Sequence, residues 1–546
     1  MADFNETETS DAVEDWQGEG LPIGVRLSGV AAIGALVILA IPYGTADLER
    51  FRVWTPEDPV PFSGKFRTDG VGPTVAEAGG HLGGSQGLNE AELAALSEST
   101  LPDDEGDAAP APMLVVEPEP PTEVDGAGGG EAEPAEQRPR IVLPESLFAG
   151  VKVPIEDPNG AMKTFYEALE RTALKEQGAV TRIAHWGDSA IGADGMTSAA
   201  RRHFQRQFGD SGHGYILIES GSAWYRHKDI VAKSKGWKAQ KIIDKGAKDG
   251  RYGFGGVKAR GYLGANATFA TVEKGPVGKS VSRLEIHMQK GPGNGAFTVA
   301  VDDGERQRVD TRSEAVEEAV HVLEVEDGPH RFKIRAEGGG PVYLYGAVLE
   351  RDEPGVVYDC LGLVGARSQR LLNADEAHWK QQLETRDPDL MVLMYGGNDV
   401  GDKRIPMERY EKVFRQLVQR FRTTRPEAAC LVMSPLDHGE RHRGSVRTVP
   451  RLHPLMEVQQ RIALEEGCAW YSVFDAMGGE GAMGRWFKAN PRLGWGDFAH
   501  ATPAGAKVLG TYFFKALMHG FAGHLGQEIQ PPETPAERGS GEDAAE

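Results

Sequence analysis

From residue 356 onward the chain repeats one pattern: a short apolar run, a turn, and a stretch with helical spacing. The runs span 356–363, 390–394, 430–433 and 469–474. Helical patterns lie around 371–383, 410–421 and 455–464, and a last helix begins near Thr502. Short strands separated by helices pair in parallel, and a parallel sheet needs helices over both faces. The spacing therefore predicts an α/β fold with a doubly wound sheet. Residues 181–190 repeat the pattern upstream: an apolar run stops at Gly187, Asp188 and Ser189, and Met196, Ala199, Ala200, Phe204 and Phe208 follow at helical spacing. An amphipathic helix through Met162, Phe165, Tyr166, Leu169 and Leu174 leads into it.

Between these α/β stretches the period changes. From 220 to 350 short runs alternate apolar and polar residues, as in Leu284-Glu285-Ile286-His287-Met288 and Phe297-Thr298-Val299-Ala300-Val301. Turn signals such as Asp302-Asp303-Gly304 and Asp327-Gly328 punctuate them. This predicts a β-sandwich inserted into the α/β domain, whose two parts are then 141–219 and 351–525.

The remainder resembles neither. Much of the net charge of −21 sits in an acidic N-terminal tail (1–25), a Pro/Ala/Gly-rich acidic linker (46–140) and a C-terminal tail (526–546). Such segments bury too little apolar surface to offset their ordering entropy and are expected to be disordered. An acidic balance of this size argues against phosphate-backbone binding, so no nucleic-acid partner is expected. Residues 26–45 contain an apolar stretch, 27–43, near the lower length limit for crossing a membrane, and are read as a transmembrane or signal anchor. Gly44-Thr45-Ala46 would also serve as a cleavage site, and Arg50, Arg52, Lys65 and Arg67 count towards a cytoplasmic C-terminal side. Cys360, Cys430 and Cys468 each adjoin an apolar run, fit no zinc spacing, and are read as small buried hydrophobes rather than a disulfide framework.

Chemistry gathers at the carboxyl ends of the predicted strands, where an open α/β sheet forms its ligand crevice. Ser189 stands at such an end, beside a helix start that favours developing negative charge; taken alone, Gly-Asp-Ser is equally a turn and a cap. After Tyr395 comes Gly396-Gly397-Asn398-Asp399, in which Asn398 either offers a carboxamide donor to an oxyanion or shapes the turn. Gly365, beyond the 356–363 run, either brings a bare backbone N–H to the same point or forms a turn. Asp497 and His500 have two residues between them and can share one side of a tight turn, with one imidazole nitrogen on Asp497 and the other facing Ser189. Together these groups supply the nucleophile, base, orienter and oxyanion donors of acyl transfer. His185, His378 and His438 are scattered without ligand spacing, so neither metal nor cofactor is expected.

These four stretches resemble the sequence blocks of the SGNH (GDSL-like) hydrolases. Ser189 matches the block I serine, Gly365 the block II glycine, Asn398 the block III asparagine, and Asp497 with His500 block V. Ala190 and Ile191 depart from the usual residues after the serine, and no G-x-S-x-G surrounds it, which argues against an α/β-hydrolase elbow. The β insertion between blocks I and II resembles the layout of peptidoglycan O-acetylesterases. The resemblance implies an SGNH-type sheet and catalysis by Ser189, His500 and Asp497. It also implies an oxyanion hole from the N–H groups of Ser189 and Gly365 and the amide of Asn398, and an acyl-serine intermediate.

An anchor followed by a long stalk suits a catalytic part facing the periplasm or cell exterior. The substrate it suits is an O-acetylated envelope or wall polysaccharide, peptidoglycan first. Trp224 and Tyr262 are candidates to stack on sugar rings, against the alternative that sandwich aromatics are core. A polysaccharide O-acetyltransferase using the same triad and a membrane-anchored glycan-binding protein are the competing readings. No obligate protein partner is inferred.

Overall fold

The structure, a computed structural model, describes residues 115–118, 139–402 and 404–529. The 27–43 segment, the N-terminal tail, most of the linker and residues 530–546 lie outside these residues, whereas the start of the expected C-terminal tail is ordered, with Gln527 exchanging hydrogen bonds with the Leu143 backbone (2.8 and 3.1 Å). Among the described residues no helix is long and apolar enough to cross a membrane.

Val180–Gly187, Gly355–Gly362, Leu390–Met394, Ala429–Met433 and Ala469–Tyr471 form one sheet in which every neighbouring pair is parallel. Numbered along the chain, the strands lie in the order 2-1-3-4-5. In that order the connections from the first and third strands leave in opposite directions and open a crevice at their carboxyl ends. Ser189 follows the first strand and Asn398 the third.

Both faces are apolar, which is why the runs read as continuous rather than alternating. Val356, Tyr358, Leu390, Val392, Leu431 and Met433 face one core, shared with the helices Lys163–Ala173, Gly195–Phe208 and Pro503–His524. Trp186, Leu361, Met391, Leu393 and Val432 face the other, shared with Glu376–Arg386, Met407–Thr424 and Leu452–Glu465. Two expected elements change shape. The 469–474 run ends as a strand at Tyr471, because the Ser472 side chain accepts the Asp475 N–H and starts the helical turn Val473–Ala476. The 371–383 pattern divides into a 3-10 turn, Ser368–Asn373, and a helix restarted by Asp375, whose side chain caps His378 N–H.

The insertion is a sandwich of two antiparallel sheets closing on Ile286, Leu284, Phe297, Val299, Phe332 and Leu344. Gly212–Leu217, assigned by sequence to the α/β part, pairs with Gly346–Glu350 and so belongs to the sandwich sheet. A buried ionic network fastens the sandwich to the parallel sheet. Asp359 accepts two hydrogen bonds from Arg386 (2.7 and 2.8 Å) and one from Tyr215 N–H (2.7 Å), while Arg386 also pairs with Glu350. Breaking one partner of such a network typically costs about 3–5 kcal/mol.

Two further expectations are corrected. Within the linker expected to be disordered, Val115–Pro118 is a strand pairing antiparallel with Pro139–Val142. Cys430 and Cys468 form a disulfide, leaving Cys360 as a buried thiol. The two are 38 residues apart in sequence, but Leu431 and Ala469 are direct partners in the sheet, which brings the preceding cysteines face to face. Sequence spacing carries no trace of that register.

Candidate active site

The serine turn is tight. Ser189 opens the single helical turn Ser189–Gly192, capped by Asp188, whose carboxylate accepts the Ala190 N–H at 3.0 Å. Gly187 is required here: a Cβ on it would lie 2.4 Å from Ile191 Cγ1 and 3.0 Å from the Met394 carbonyl. The strand therefore turns sharply and leaves Ser189 half-buried at its end.

Asp497 and His500 arrive on the turn before the last helix. Asp497 Oδ1 accepts the N–H groups of Ala499 (3.0 Å) and His500 (3.2 Å), and its Oδ2 meets His500 Nδ1 at 2.8 Å. His500 Nε2 lies 2.8 Å from Ser189 Oγ. Phe498, at φ +56°, turns its ring into the core, and its carbonyl accepts the Gly439 N–H at 2.7 Å, so the turn is pinned from both sides. The structure thus joins Ser189, His500 and Asp497 into one hydrogen-bonded line across 311 residues of sequence.

Electrostatics follow the geometry. The hydrogen bond to Asp497 raises the His500 imidazole above its ordinary pKa, against partial burial. Burial pushes the Asp497 carboxyl up, but the His500 ring and the Ala499 amide outweigh it and hold the group at about 2. A carboxylate kept ionised beside Nδ1 fixes the tautomer in which Nε2 accepts the serine proton.

Asn398 sits on the turn Gly397–Val400 and gives one amide hydrogen to the Ala366 carbonyl at 3.0 Å. Its Nδ2 has a second hydrogen, and the side chain lines the same pocket as Ser189 and His500. Asp399 fastens the two turns together, accepting the N–H (3.2 Å) and hydroxyl (3.3 Å) of Ser368. Burial pushes its carboxyl up to about 6. Gly365 occupies the exposed turn next to Ala366 at φ +82°, a conformation suited to glycine, and does not itself line the pocket. Trp224 is 76% exposed, in a loop tied to the serine turn by Arg226 N–H donating to the Gly192 carbonyl at 3.0 Å. Tyr262 is 54% exposed at the turn after Val257–Gly261.

Two pocket features, Asp188 and His438, and one aromatic outside the pocket lining, Trp495, escaped the sequence reading. Asp188 is buried, which pushes its carboxyl up against the pull of Ala190 N–H, His438 and His500. His438 lines the pocket with Nδ1 on the Leu436 carbonyl (2.9 Å); a Cβ on Gly397 would lie 2.9 Å from its ring, so that glycine makes room for it. Trp495 is half-exposed and gives its N–H to the His500 carbonyl at 2.8 Å. It stands two residues before Asp497, a sequence signal that was there to be read. The pocket holds about 170 Å³, and no group of side chains among the described residues is arranged to hold a metal ion.

The GDSL-like lipase/acylhydrolase family matches residues 328–508. That span contains Asn398, Asp497 and His500 but not Ser189, which the insertion separates from it. No protein of curated function matches the chain in sequence. Among solved structures, a peptidoglycan O-acetylesterase shares its fold at a TM-score of 0.58 and 20% identity, covering 68% of this chain and 99% of that one. A family two carbohydrate esterase from Cellvibrio japonicus (14% identity, TM-score 0.17, 43% and 85% covered) matches far more weakly. So does an acetylxylan esterase from Geobacillus stearothermophilus (21%, 0.23, 32% and 74%).

Proposed function

We propose that this chain, whose residues 328–508 match the GDSL-like lipase/acylhydrolase family, is a serine esterase removing O-acetyl groups from an envelope or cell-wall polysaccharide, peptidoglycan first. The observation that carries this reading is the unbroken line Asp497–His500–Ser189, with 2.8 Å at both steps, opening on a pocket that also holds Asn398. His500 Nε2 takes the hydroxyl proton as Ser189 Oγ attacks the ester carbonyl, and Asp497 stabilises the imidazolium. The second amide hydrogen of Asn398 and the N–H of Ser189 bind the oxyanion, while Gly365, outside the pocket lining, shapes the turn whose Ala366 carbonyl holds Asn398. The imidazolium then protonates the ester oxygen as its bond to the acyl carbon breaks, so the sugar leaves as a hydroxyl, and water, deprotonated by the same nitrogen, attacks the acyl-serine and releases acetate. Each oxyanion donor is worth about 3 kcal/mol of barrier.

A pocket of about 170 Å³ suits a short acyl group better than a fatty chain. The carbohydrate assignment is supported by the fold shared with a peptidoglycan O-acetylesterase along nearly all of that chain. Residues 27–43 are proposed to anchor the protein with its catalytic part outside the cytoplasm. The Cys430–Cys468 disulfide supports that side, since such bonds persist in oxidising compartments.

The test is acetate release by the full-length protein from O-acetylated peptidoglycan, acetylated xylan and p-nitrophenyl acetate. Ser189→Ala should lower every rate by about ten-thousand-fold or more with the fold intact. Turnover above about a hundredth of wild type in that variant would remove Ser189 from the mechanism.

A further inference from the structure

Within a chain of net charge −21, residues 226–260 carry eleven Lys or Arg against three Asp. The stretch contains Ile230–Lys235 and Lys238–Lys241, the outermost strands of the two sandwich sheets, joined by only two residues and so forming one edge of the insertion. Lys233, Lys235 and Lys238 are exposed, and none has a carboxylate within ion-pair distance among the described residues. Other cations of the insertion do pair with carboxylates: Arg251 with Glu318 and Lys258 with Asp249 within the same stretch, and Lys333 with Asp303 outside it. Lysines on edge strands ordinarily keep sheets from pairing with other chains, which accounts for charge on either strand singly. It does not account for where the charge leads.

At one end of the edge, Lys238 is the register partner of Arg260, whose guanidinium lies 5.7 Å from the ring centre of exposed Tyr262. At the other end, Lys241 lines a second pocket of about 80 Å³ together with Ser220, Ser222 and the turn residues Gly362 to Val364. That turn runs directly into Gly365 and Ala366, the latter held by Asn398. Lysines crowded along the two edge strands repel one another and create a field that gathers anions along this edge.

We infer that this edge is a binding track for a carboxylated, O-acetylated glycan: Lys233, Lys235 and Lys238 take its anionic groups, and the polymer then runs past Lys241, which pairs with Asp244 at 3.0 Å, and the 362–365 turn to present its ester to Ser189. The direction of the track rests on the esterase reading; the binding itself does not. Tyr262, at the far end, supplies a ring face for a sugar next to Arg260.

The track is tested with the full-length Ser189→Ala protein, which should bind without turnover, and two acetylated probes, polygalacturonate (carboxylated) and glucomannan (neutral). The expected result at low salt is about tenfold tighter binding of the carboxylated probe, a preference that shrinks as salt shortens the screening length. Lys233→Glu, Lys235→Glu and Lys238→Glu together should abolish the preference. In the chain with Ser189 intact, the same three changes should raise KM about tenfold for acetylated polygalacturonate while leaving p-nitrophenyl acetate turnover unchanged. Equal affinity for both probes, or a preference that survives the triple reversal, overturns the inference. Tighter salt-sensitive binding to phosphatidylglycerol vesicles than to the carboxylated glycan, lost in the same variant, overturns it in favour of a membrane surface. If no ester is hydrolysed by the wild-type chain, the esterase reading falls while the binding comparison still stands.

Discussion

His500 and His378 each bring Nδ1 to within 2.8 Å of a carboxylate, Asp497 in one case and Glu318 in the other, yet their remaining nitrogens meet different company. His378 Nε2 accepts the backbone N–H groups of Tyr252 (3.1 Å) and Gly253 (2.8 Å), which places its single proton on Nδ1. Its side chain is fully buried and bridges the helix Glu376–Arg386 to the strand Glu317–Gly328 of the insertion. His500 is 44% exposed, and its Nε2 faces a hydroxyl instead of amides. A carboxylate–imidazole pair is thus a clamp when both nitrogens are occupied by fixed partners. It is a base when one nitrogen meets a group that can give up its proton.

The two histidines should therefore fail in opposite ways. His500→Ala is expected to lower kcat by about four to six orders of magnitude with thermal unfolding unchanged. His378→Ala leaves two buried amides unpartnered and strips Glu318 of one partner, its pair with Arg251 remaining, and should cost about 3 kcal/mol of stability, read as a lower Tm, with near-normal activity per folded molecule. Similar Tm losses in both variants would end the distinction.

The carboxylates sharpen it further. Asp497→Asn should reduce kcat by about ten-thousand-fold through loss of the imidazolium's partner and of the correct tautomer, whereas Glu318→Gln should act on Tm. Next in size, Asn398→Ala should lower kcat by about a hundred- to a thousand-fold, with a small effect on KM for p-nitrophenyl acetate.

How much of this was legible beforehand depends on how local each signal is. The parallel strands show as apolar runs because both faces are buried, and Asp497 lies near enough to His500 in sequence for a shared turn to be foreseen. The disulfide partners, the Asp359–Arg386–Glu350 network and the place of His438 beside Asp188 depend on sheet register or chain crossings that no local pattern records. Gly212–Leu217 is buried along its whole length and reads like an α/β strand; only pairing reveals that it belongs to the sandwich. Trp495 lies outside the insertion that holds Trp224 and Tyr262, and only the fold of the last turn brings its N–H to the His500 carbonyl.

The smallest predicted effect is in pH dependence. His500 must be neutral to accept the serine proton, and Asp497 raises its pKa, so kcat/KM should fall as pH drops through a midpoint above the ordinary imidazole value. In Asp497→Asn the residual activity should keep its plateau to lower pH, because the main cause of the raise is gone. A midpoint that does not move would show that Asp497 does not set the basicity of His500.

The central claim, that Ser189 is acylated by way of His500, is tested most directly by quenching the full-length protein in acid during turnover of p-nitrophenyl acetate and mapping its peptides by mass spectrometry. The account predicts one added acetyl group on the peptide containing Ser189 in the wild-type chain and none there in His500→Ala. Continued ester turnover with the acetyl group on another residue, or with Ser189 unmodified while Ser189→Ala remains active, would contradict it.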